Sequence, residues 1–488
     1  MAVVQIVDQS LRDGQQSLWG MKMRAGHILP VAGVIDGAGY HVVDLTGSSI
    51  FEVLVRQMRE NPWEGLDLVR AALPHSTLRA GTRSNGVVGM GLTPDVIVEL
   101  WVRTLARHGI DSLWIFDCLF NLDQMAWVAA IAADAGLTVS PQVNFTESPL
   151  HDDDFYEGVA TSIAKWENLD SVILGDEAGV LSTERARSWI PRIRTSVPLD
   201  VPMEMHFHNT TGLGTLNHLV GIEAGVTILH TAVSTLANGP SMPSTEAAID
   251  NAARLGHEVR VNGERVTELA EWFGKLADAN GYPRGTPAEY RLATYQQQLP
   301  GGMMGTLGVQ LRTYGMEDRL PAVLEECAVV RAEMGYPIMA TPFSQFVGIQ
   351  ALLNVVNGER YSMIPDENLM YLAGHFGPPP GPIAPEVLDR AFSTPRGREF
   401  QTWQRPQPTL AEIRHAYGES LSDEELLLRY LMPAEDVDAM YAAGPVQRAL
   451  PPEPDPAPEI AWVKEIMTSS TARSVQLTRG DVTVALSR

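Results

Sequence analysis

Eight times in its first 280 residues, this chain alternates a short β-branched run with a longer helical pattern, and that repetition restricts the fold more than any other feature. The runs fall at residues 3–8, 41–45, 77–82, 112–117, 139–145, 171–174, 203–208 and 227–234. Between them apolar residues recur at helical spacing, as at Val96, Leu100 and Leu105 before the fourth run. Eight strand–helix units in about 250 residues is the arithmetic of a (β/α)8 barrel. A doubly wound sheet usually has fewer strands and a glycine fingerprint after the first. No Gly-x-Gly-x-x-Gly follows Val3–Asp8.

From about residue 281 the pattern turns helical, with loops. The fold expected is therefore α/β: a (β/α)8 TIM barrel over residues 1–280, then a mainly helical C-terminal domain over 281–449. Residues 450–459 read as a proline-rich acidic linker, extended by composition, and 460–488 as a small tail. Residues 423–432 predict an amphipathic helix whose acidic first turn suits the helix dipole.

Charge and composition exclude several classes. The 36 basic and 59 acidic residues leave a net charge of −23 (36 − 59). That argues against a nucleic-acid partner, because phosphate affinity rests on clustered Lys and Arg. No uncharged apolar run approaches the roughly 18 residues of a spanning helix, and the first residues carry no basic stretch of the signal-peptide kind. Two cysteines, Cys118 and Cys327, make no disulfide framework. The expectation is a cytoplasmic protein without a membrane partner. Only four lysines occur, Lys22, Lys165, Lys275 and Lys464, so any chemistry that needs a lysine must use one of them.

Polar residues gather just past the expected strand ends, where active sites of such barrels sit. Arg12, Asp13 and Gln16 follow the first strand, Asp44 ends the second, Arg83 follows the third and Asp117 ends the fourth. Asn144, Asp176 and Glu177 continue the series. His206 and His208, two apart on one strand, point to one face and reach one metal ion together. Asp13, His206 and His208 would form a three-ligand site with open positions. Such a metal polarises a carbonyl. Arg12 and Arg83 suit a carboxylate held by bidentate pairing, and Gln16 suits a keto oxygen.

Ser10-Leu-Arg-Asp-Gly-Gln-Gln-Ser-Leu18 resembles the opening signature of the carboxyltransferase barrels of biotin-dependent enzymes: pyruvate carboxylase, oxaloacetate decarboxylase and the keto-acid subunit of transcarboxylase. Pro300-Gly-Gly-Met-Met-Gly-Thr-Leu-Gly-Val-Gln-Leu311 and Ala340-Thr-Pro-Phe-Ser-Gln-Phe-Val-Gly-Ile-Gln-Ala351 resemble blocks that follow the barrel in that family. The resemblance covers about residues 4–435. It implies Asp13, His206 and His208 as metal ligands, with Arg12, Gln16 and Arg83 at positions that bind the 2-oxo acid. It implies carboxyl transfer between carboxybiotin and a small 2-oxo acid such as pyruvate or oxaloacetate, through an enolate that a divalent metal (Zn, Mn, Co or Mg) stabilises. The partners it implies are a biotin carrier protein, a biotin carboxylase subunit and a second copy of the chain, in a homodimer or higher oligomer. The tail resembles the segment that precedes the biotinyl domain of carrier subunits. No Ala-Met-Lys-Met attachment site occurs, so biotin is expected on a separate carrier.

Departures from the family pattern bear on the site. The family places a carbamylated lysine after strand six as a further metal ligand, whereas this chain has Gly175 there, followed by Asp176 and Glu177. Glu177 is the residue expected to supply a carboxylate instead. Pro240 stands where pyruvate carboxylases have a proton-shuttling threonine, and Thr245 is the substitute expected. Two other readings fit the same barrel: a metal-dependent aldolase or lyase, active without a biotin carrier, and a catalytically degenerate assembly subunit.

Overall fold

A computed structural model describes residues 2–166, 169–290, 292–452, 474–479 and 482–487. Eight parallel strands form the barrel: β1 (Val3–Asp8), β2 (Val42–Gly47), β3 (Leu78–Arg83), β4 (Ser112–Phe116), β5 (Thr138–Asn144), β6 (Val172–Asp176), β7 (Met203–Phe207) and β8 (Ile228–Thr231). Each pairs with the next, and β1 pairs with both β8 and β2, which closes the ring. Every expected strand is present, its ends shifted by no more than three residues. A two-residue strand, β9 (Glu258–Val259), extends the start of β1 outside the ring. Several outer helices begin at a capping side chain, among them Asn121, Asp152, Ser182, Ser244 and Asn262, each accepting a backbone N–H of the first turn.

Successive residues of a strand face opposite sides. The outward set, such as Val4, Ile6, Val43, Leu113 and Ile115, joins the apolar core shared with the helices. Within the ring, Val7, Val42 and Ile228 make a small apolar cluster of their own, but much of the remaining inward set is polar. Arg79 of β3 donates through both terminal nitrogens to Glu204 of β7, at 2.6 and 2.9 Å, and both residues are fully buried. Ser112 and Ser140 accept further bonds from Arg79, and Ser171 donates to Glu204. Burial would raise the Glu204 carboxyl, yet Arg79 and His230 hold it well below the usual range. The pair is therefore ionised, and each charge depends on the other.

The outward face carries buried acids as well. Asp8 ends β1 beneath the helix Thr245–Arg254 and accepts the Ser10 hydroxyl proton at 2.6 Å. Burial pushes its carboxyl up to about 7.

Beyond the barrel, helices Gly301–Tyr314, Leu320–Glu333 and Phe343–Asn357 build a second core around Leu307, Val323 and Val347. Cys118 and Leu119, from the loop after β4, join that core and tie it to the barrel. The helices Leu410–Tyr417, Asp423–Leu431 and Ala434–Ala442 then turn back. Their Ile413, Leu426, Leu427, Val437 and Met440 pack into the barrel's core. Ion pairs Arg59–Asp436 at 2.8 Å and Arg107–Asp423 at 2.7 Å line the same seam. Residues 281–449, expected as one helical domain, thus divide their apolar faces between two cores.

At the far end, β10 (Ser474–Arg479) and β11 (Val482–Ser487) form an antiparallel hairpin. From residue 453 the expected linker lies outside the described residues, as do residues 460–473 of the expected tail. Both cysteines are buried and free. Among the described residues no helix is long and apolar enough to cross a membrane.

Two stability predictions follow from the buried charges. Arg79→Met leaves Glu204 ionised and alone, and should lower the unfolding free energy by about 3–5 kcal/mol. The double change Arg79→Met/Glu204→Leu should recover more than half of that loss in the same denaturant titration. For Asp8, the folded state keeps a proton up to about pH 7, whereas the unfolded chain releases it near about pH 4. The folded state therefore binds more protons in that window, and stability falls as pH rises through it. Asp8→Asn should remove this fall. Between about pH 5 and pH 7 the wild type should lose about 2–3 kcal/mol relative to the variant; parallel profiles would refute the assignment.

Candidate active site

A cavity of about 320 Å³ opens at the C-terminal ends of the strands, and residues of the helical region beyond the barrel, including Pro300, Met303, Thr341 and Ser344, line its other side. Asp13 stands on the wide helical turn Ser10–Gly14 that follows β1. Ser10 pins this turn: its hydroxyl donates to Asp8 and accepts the Val233 N–H at 2.9 Å. His206 and His208 project inward from the end of β7. Their Nε2 atoms lie 3.6 and 3.3 Å from the two Asp13 oxygens. Ligand atoms of the three residues all fall within 4.8 Å of one another, and all three residues are buried.

Neither Nε2 has a hydrogen-bond partner. The other ring nitrogens are engaged: His208 Nδ1 donates to the Pro240 carbonyl at 2.6 Å, and His206 Nδ1 lies 3.0 Å from His230 Nδ1. Burial pushes both imidazoles below their ordinary range, against the pull of Asp13. Burial alone would raise the Asp13 carboxyl, but His208, Arg12 and His206 hold it well below the usual range. Two neutral imidazoles with orphaned inward nitrogens and an ionised carboxylate are the donor set, in the protonation state, that a divalent cation takes. The residues present fit a metal.

The other expected residues divide. Arg12 lines the cavity, bonded to Asp13 and lying 4.0 Å above the Trp114 ring. Arg83 lines it too and is only 5% exposed. One terminal nitrogen of Arg83 donates to the Gly89 carbonyl at 2.6 Å, while the other is buried without a partner. Gln16 is half-buried on the rim. Glu177 also lines the cavity but stands outside the three-residue cluster. Its carboxylate turns toward β5 and accepts the Gln142 amide, with the second oxygen buried and unpartnered. Burial pushes this carboxyl up to about 8, with Asp176 and Asp13 adding to the effect. A Cβ at Gly175 would lie 1.7 Å from the Gln142 nitrogen and 2.7 Å from a Glu177 oxygen. Those two side chains fill the room that a residue-175 side chain would need.

Thr245 corrects an expectation. It opens the helix behind β8, is fully buried, and shares a hydrogen bond of 2.8 Å with Thr231. Thr231 is on the outward face of β8, so Thr245 packs behind the barrel wall and does not line the cavity. Asp117 and Asp176 are structural as well. Asp117 accepts the Ser84 hydroxyl and the Leu119 N–H, and Asp176 accepts the N–H groups of Val180 and Leu181.

Strand-end reasoning overlooked Trp114, Gln142 and His230. Trp114 and Gln142 line the cavity, and His230 bonds toward His206. Each sits on the inward register of its strand, so the two-residue period extended inward from Phe116 and Asn144 was the available signal.

Known proteins share this arrangement of chain. Residues 294–445 match a family described as a conserved carboxylase domain, and residues 123–272 match one described as HMGL-like. A pyruvate carboxylase subunit of Methanocaldococcus jannaschii is 34% identical over 393 residues, covering 80% of this chain and 68% of that protein. The corresponding pyruvate carboxylase subunit of Methanothermobacter thermautotrophicus is 30% identical over 475 residues, covering 96% and 82%. The carboxyl transferase domain of Rhizobium etli pyruvate carboxylase, solved with oxamate and biotin, superposes with a TM-score of 0.82 at 25% identity, covering 92% of this chain and 79% of that domain. This chain spans 42% of a longer pyruvate carboxylase chain from the same organism.

Metal content tests the donor set. The purified chain should bind about one divalent cation, and Asp13→Ala or His208→Ala should weaken it by more than the roughly 10- to 100-fold typical of supporting residues. Elemental analysis after dialysis, with circular dichroism to check folding, measures this. Full metal content in both variants would remove the triad as a site.

Proposed function

This chain belongs to the same family as the two archaeal pyruvate carboxylase subunits, and we propose that it is the carboxyltransferase component of a biotin-dependent carboxylase or transcarboxylase. The acceptor or donor is a small 2-oxo acid of the pyruvate or oxaloacetate kind. One observation carries the reading: the orphaned His206 and His208 nitrogens and the Asp13 carboxylate share one cavity with two guanidinium groups, one of which has a buried nitrogen free to donate. The match of residues 294–445 to a carboxylase family favours carboxyl transfer over an aldolase or lyase.

Asp13, His206 and His208 hold the cation, and Glu177 is a further oxygen donor once released from Gln142. A divalent metal there (Zn, Mn, Co or Mg) supplies a Lewis acid for the 2-oxo carbonyl. Biotin on a carrier polypeptide supplies the carboxyl group. The protein's own work is positioning and charge. Arg83 turns its free nitrogen toward a substrate carboxylate, for which the planar guanidinium fork is well shaped. Arg12 is held in place by Asp13 and Trp114, so its positive charge stays beside the reacting carbonyl at little reorganisation cost. Gln16, on the rim, donates its amide to the keto oxygen. The second core closes over the cavity and limits water. In this reading the chain works in the cytoplasm as a homodimer or higher oligomer, with biotin carrier and biotin carboxylase subunits as partners.

Reconstitution tests it. The metal-loaded chain, given carboxylated carrier or free biotin with oxaloacetate, should transfer the carboxyl group to or from at least one 2-oxo acid. Arg83→Met should lower kcat/KM by about 10²- to 10³-fold, as expected when a buried, hydrogen-bonded charge pair loses one partner (about 2–5 kcal/mol). Absence of transfer with every 2-oxo acid, despite bound metal, would overturn the reading.

A further inference from the structure

The polar interior of the barrel contains a histidine that the reaction itself does not touch. We propose that His230 is a positioning residue for His206: its Nδ1 accepts the Nδ1 proton of His206 and so fixes the tautomer that presents the His206 Nε2 lone pair to the cavity. The proposal rests on the metal reading of Asp13, His206 and His208.

The geometry selects one proton arrangement out of two. His206 Nδ1 and His230 Nδ1 lie 3.0 Å apart, so one donates and the other accepts. His230 Nε2 lies 2.6 Å from a Glu204 oxygen. Glu204 is gripped by both terminal nitrogens of Arg79 and is an ionised acceptor. A proton on His230 Nε2 therefore meets a carboxylate, whereas a lone pair there would face one at hydrogen-bond distance. With Nε2 protonated, the neutral ring leaves Nδ1 as an acceptor.

Gln9 argues the same way independently. Its amide nitrogen lies 2.9 Å from His230 Nδ1 and 2.9 Å from the Asp44 carboxylate. Donating to both, it too requires a lone pair on His230 Nδ1. A proton at that nitrogen would face the Gln9 amide. The single His230 Nδ1 lone pair is then shared between the Gln9 amide and His206, which is the donor at the 3.0 Å contact and carries its proton on Nδ1. The lone pair is left on Nε2, 3.6 Å from Asp13 and otherwise unpartnered.

Protons are thus ordered along Arg79, Glu204, His230 and His206, all four buried. Trp114 packs against both rings, with centroids 4.6 Å from His206 and 6.2 Å from His230, and limits their rotation. Partners of this kind, placed behind a ligating imidazole, set its orientation and raise its basicity.

Two variants and one spectrum test the assignment. His230→Leu removes the acceptor at similar volume. His230→Asn places an amide oxygen near the position of Nδ1 and keeps an acceptor. Calorimetric titration with Zn²⁺ or Co²⁺ should show the Leu variant binding about 10- to 100-fold more weakly, with an altered visible spectrum for Co²⁺. The Asn variant should recover most of that affinity at a denaturation midpoint similar to that of His230→Leu. Wild-type affinity in the Leu variant would overturn the proposal. So would an Asn variant that is equally folded but as weak as the Leu variant, because the role would then be packing. The ¹⁵N shifts of histidine-labelled, metal-free protein, with His206 assigned from His206→Gln, should report the Nδ1–H tautomer; the Nε2–H tautomer would overturn the proposal. If the wild type takes up no cation, the metal reading falls, and the ¹⁵N result still decides the positioning role.

Discussion

One ion pair, Arg79 with Glu204, sets the terms for the inside of the barrel. Neither group touches solvent, so neither tolerates the loss of the other. Leftover hydrogen-bonding capacity on both must also be met, and Ser112 of β4, Ser140 of β5 and Ser171 just before β6 meet it. A barrel interior filled only with Val, Ile and Leu would have no need of these hydroxyls, and also no means of ordering protons. Here the charge on Glu204 fixes His230, and His230 faces His206. The chemistry at the mouth inherits its donor set from a charge pair inside the wall.

Much of this was legible beforehand, for definite reasons. Strand positions emerge because parallel strands buried on both faces read as short β-branched runs. His206 and His208 emerge because a strand has a period of two, and Asp13 because it follows the first strand closely. Arg79, Glu204 and His230 did not emerge, since a polar residue in a strand looks alike whether it faces a partner or solvent. Thr245 misled because it comes soon after the last strand in sequence. In space, its helix starts behind the wall, and Thr231 holds it there. The helix at residues 423–431 was readable as amphipathic from its spacing, but the core that buries its apolar face depends on a chain reversal that no local pattern announces.

Gly175 shows how local packing rewrites a position. The lysine that the family resemblance leads one to expect would need the room now held by Gln142 and Glu177. Glycine is what the packing admits unless both neighbours move. Glu177 does not simply take over as a fourth ligand in the cluster, because the Gln142 amide holds it and burial favours its neutral form. A scarcity of lysine in the composition thus has a counterpart in two side chains, Gln142 and Glu177, that meet over Gly175.

The return of the last three helices to the barrel has a mechanical consequence. The body that roofs the cavity is anchored where the chain leaves the barrel, again where Cys118 and Leu119 enter its core and Arg331 donates to Thr146 and the Glu147 carbonyl, and again where residues 410–442 dock beside Arg59 and Arg107. A body fastened at three separate places has no free axis of rotation left. The roof and the barrel mouth therefore keep a fixed mutual angle, and the ion pairs of that seam brace it as a strut does.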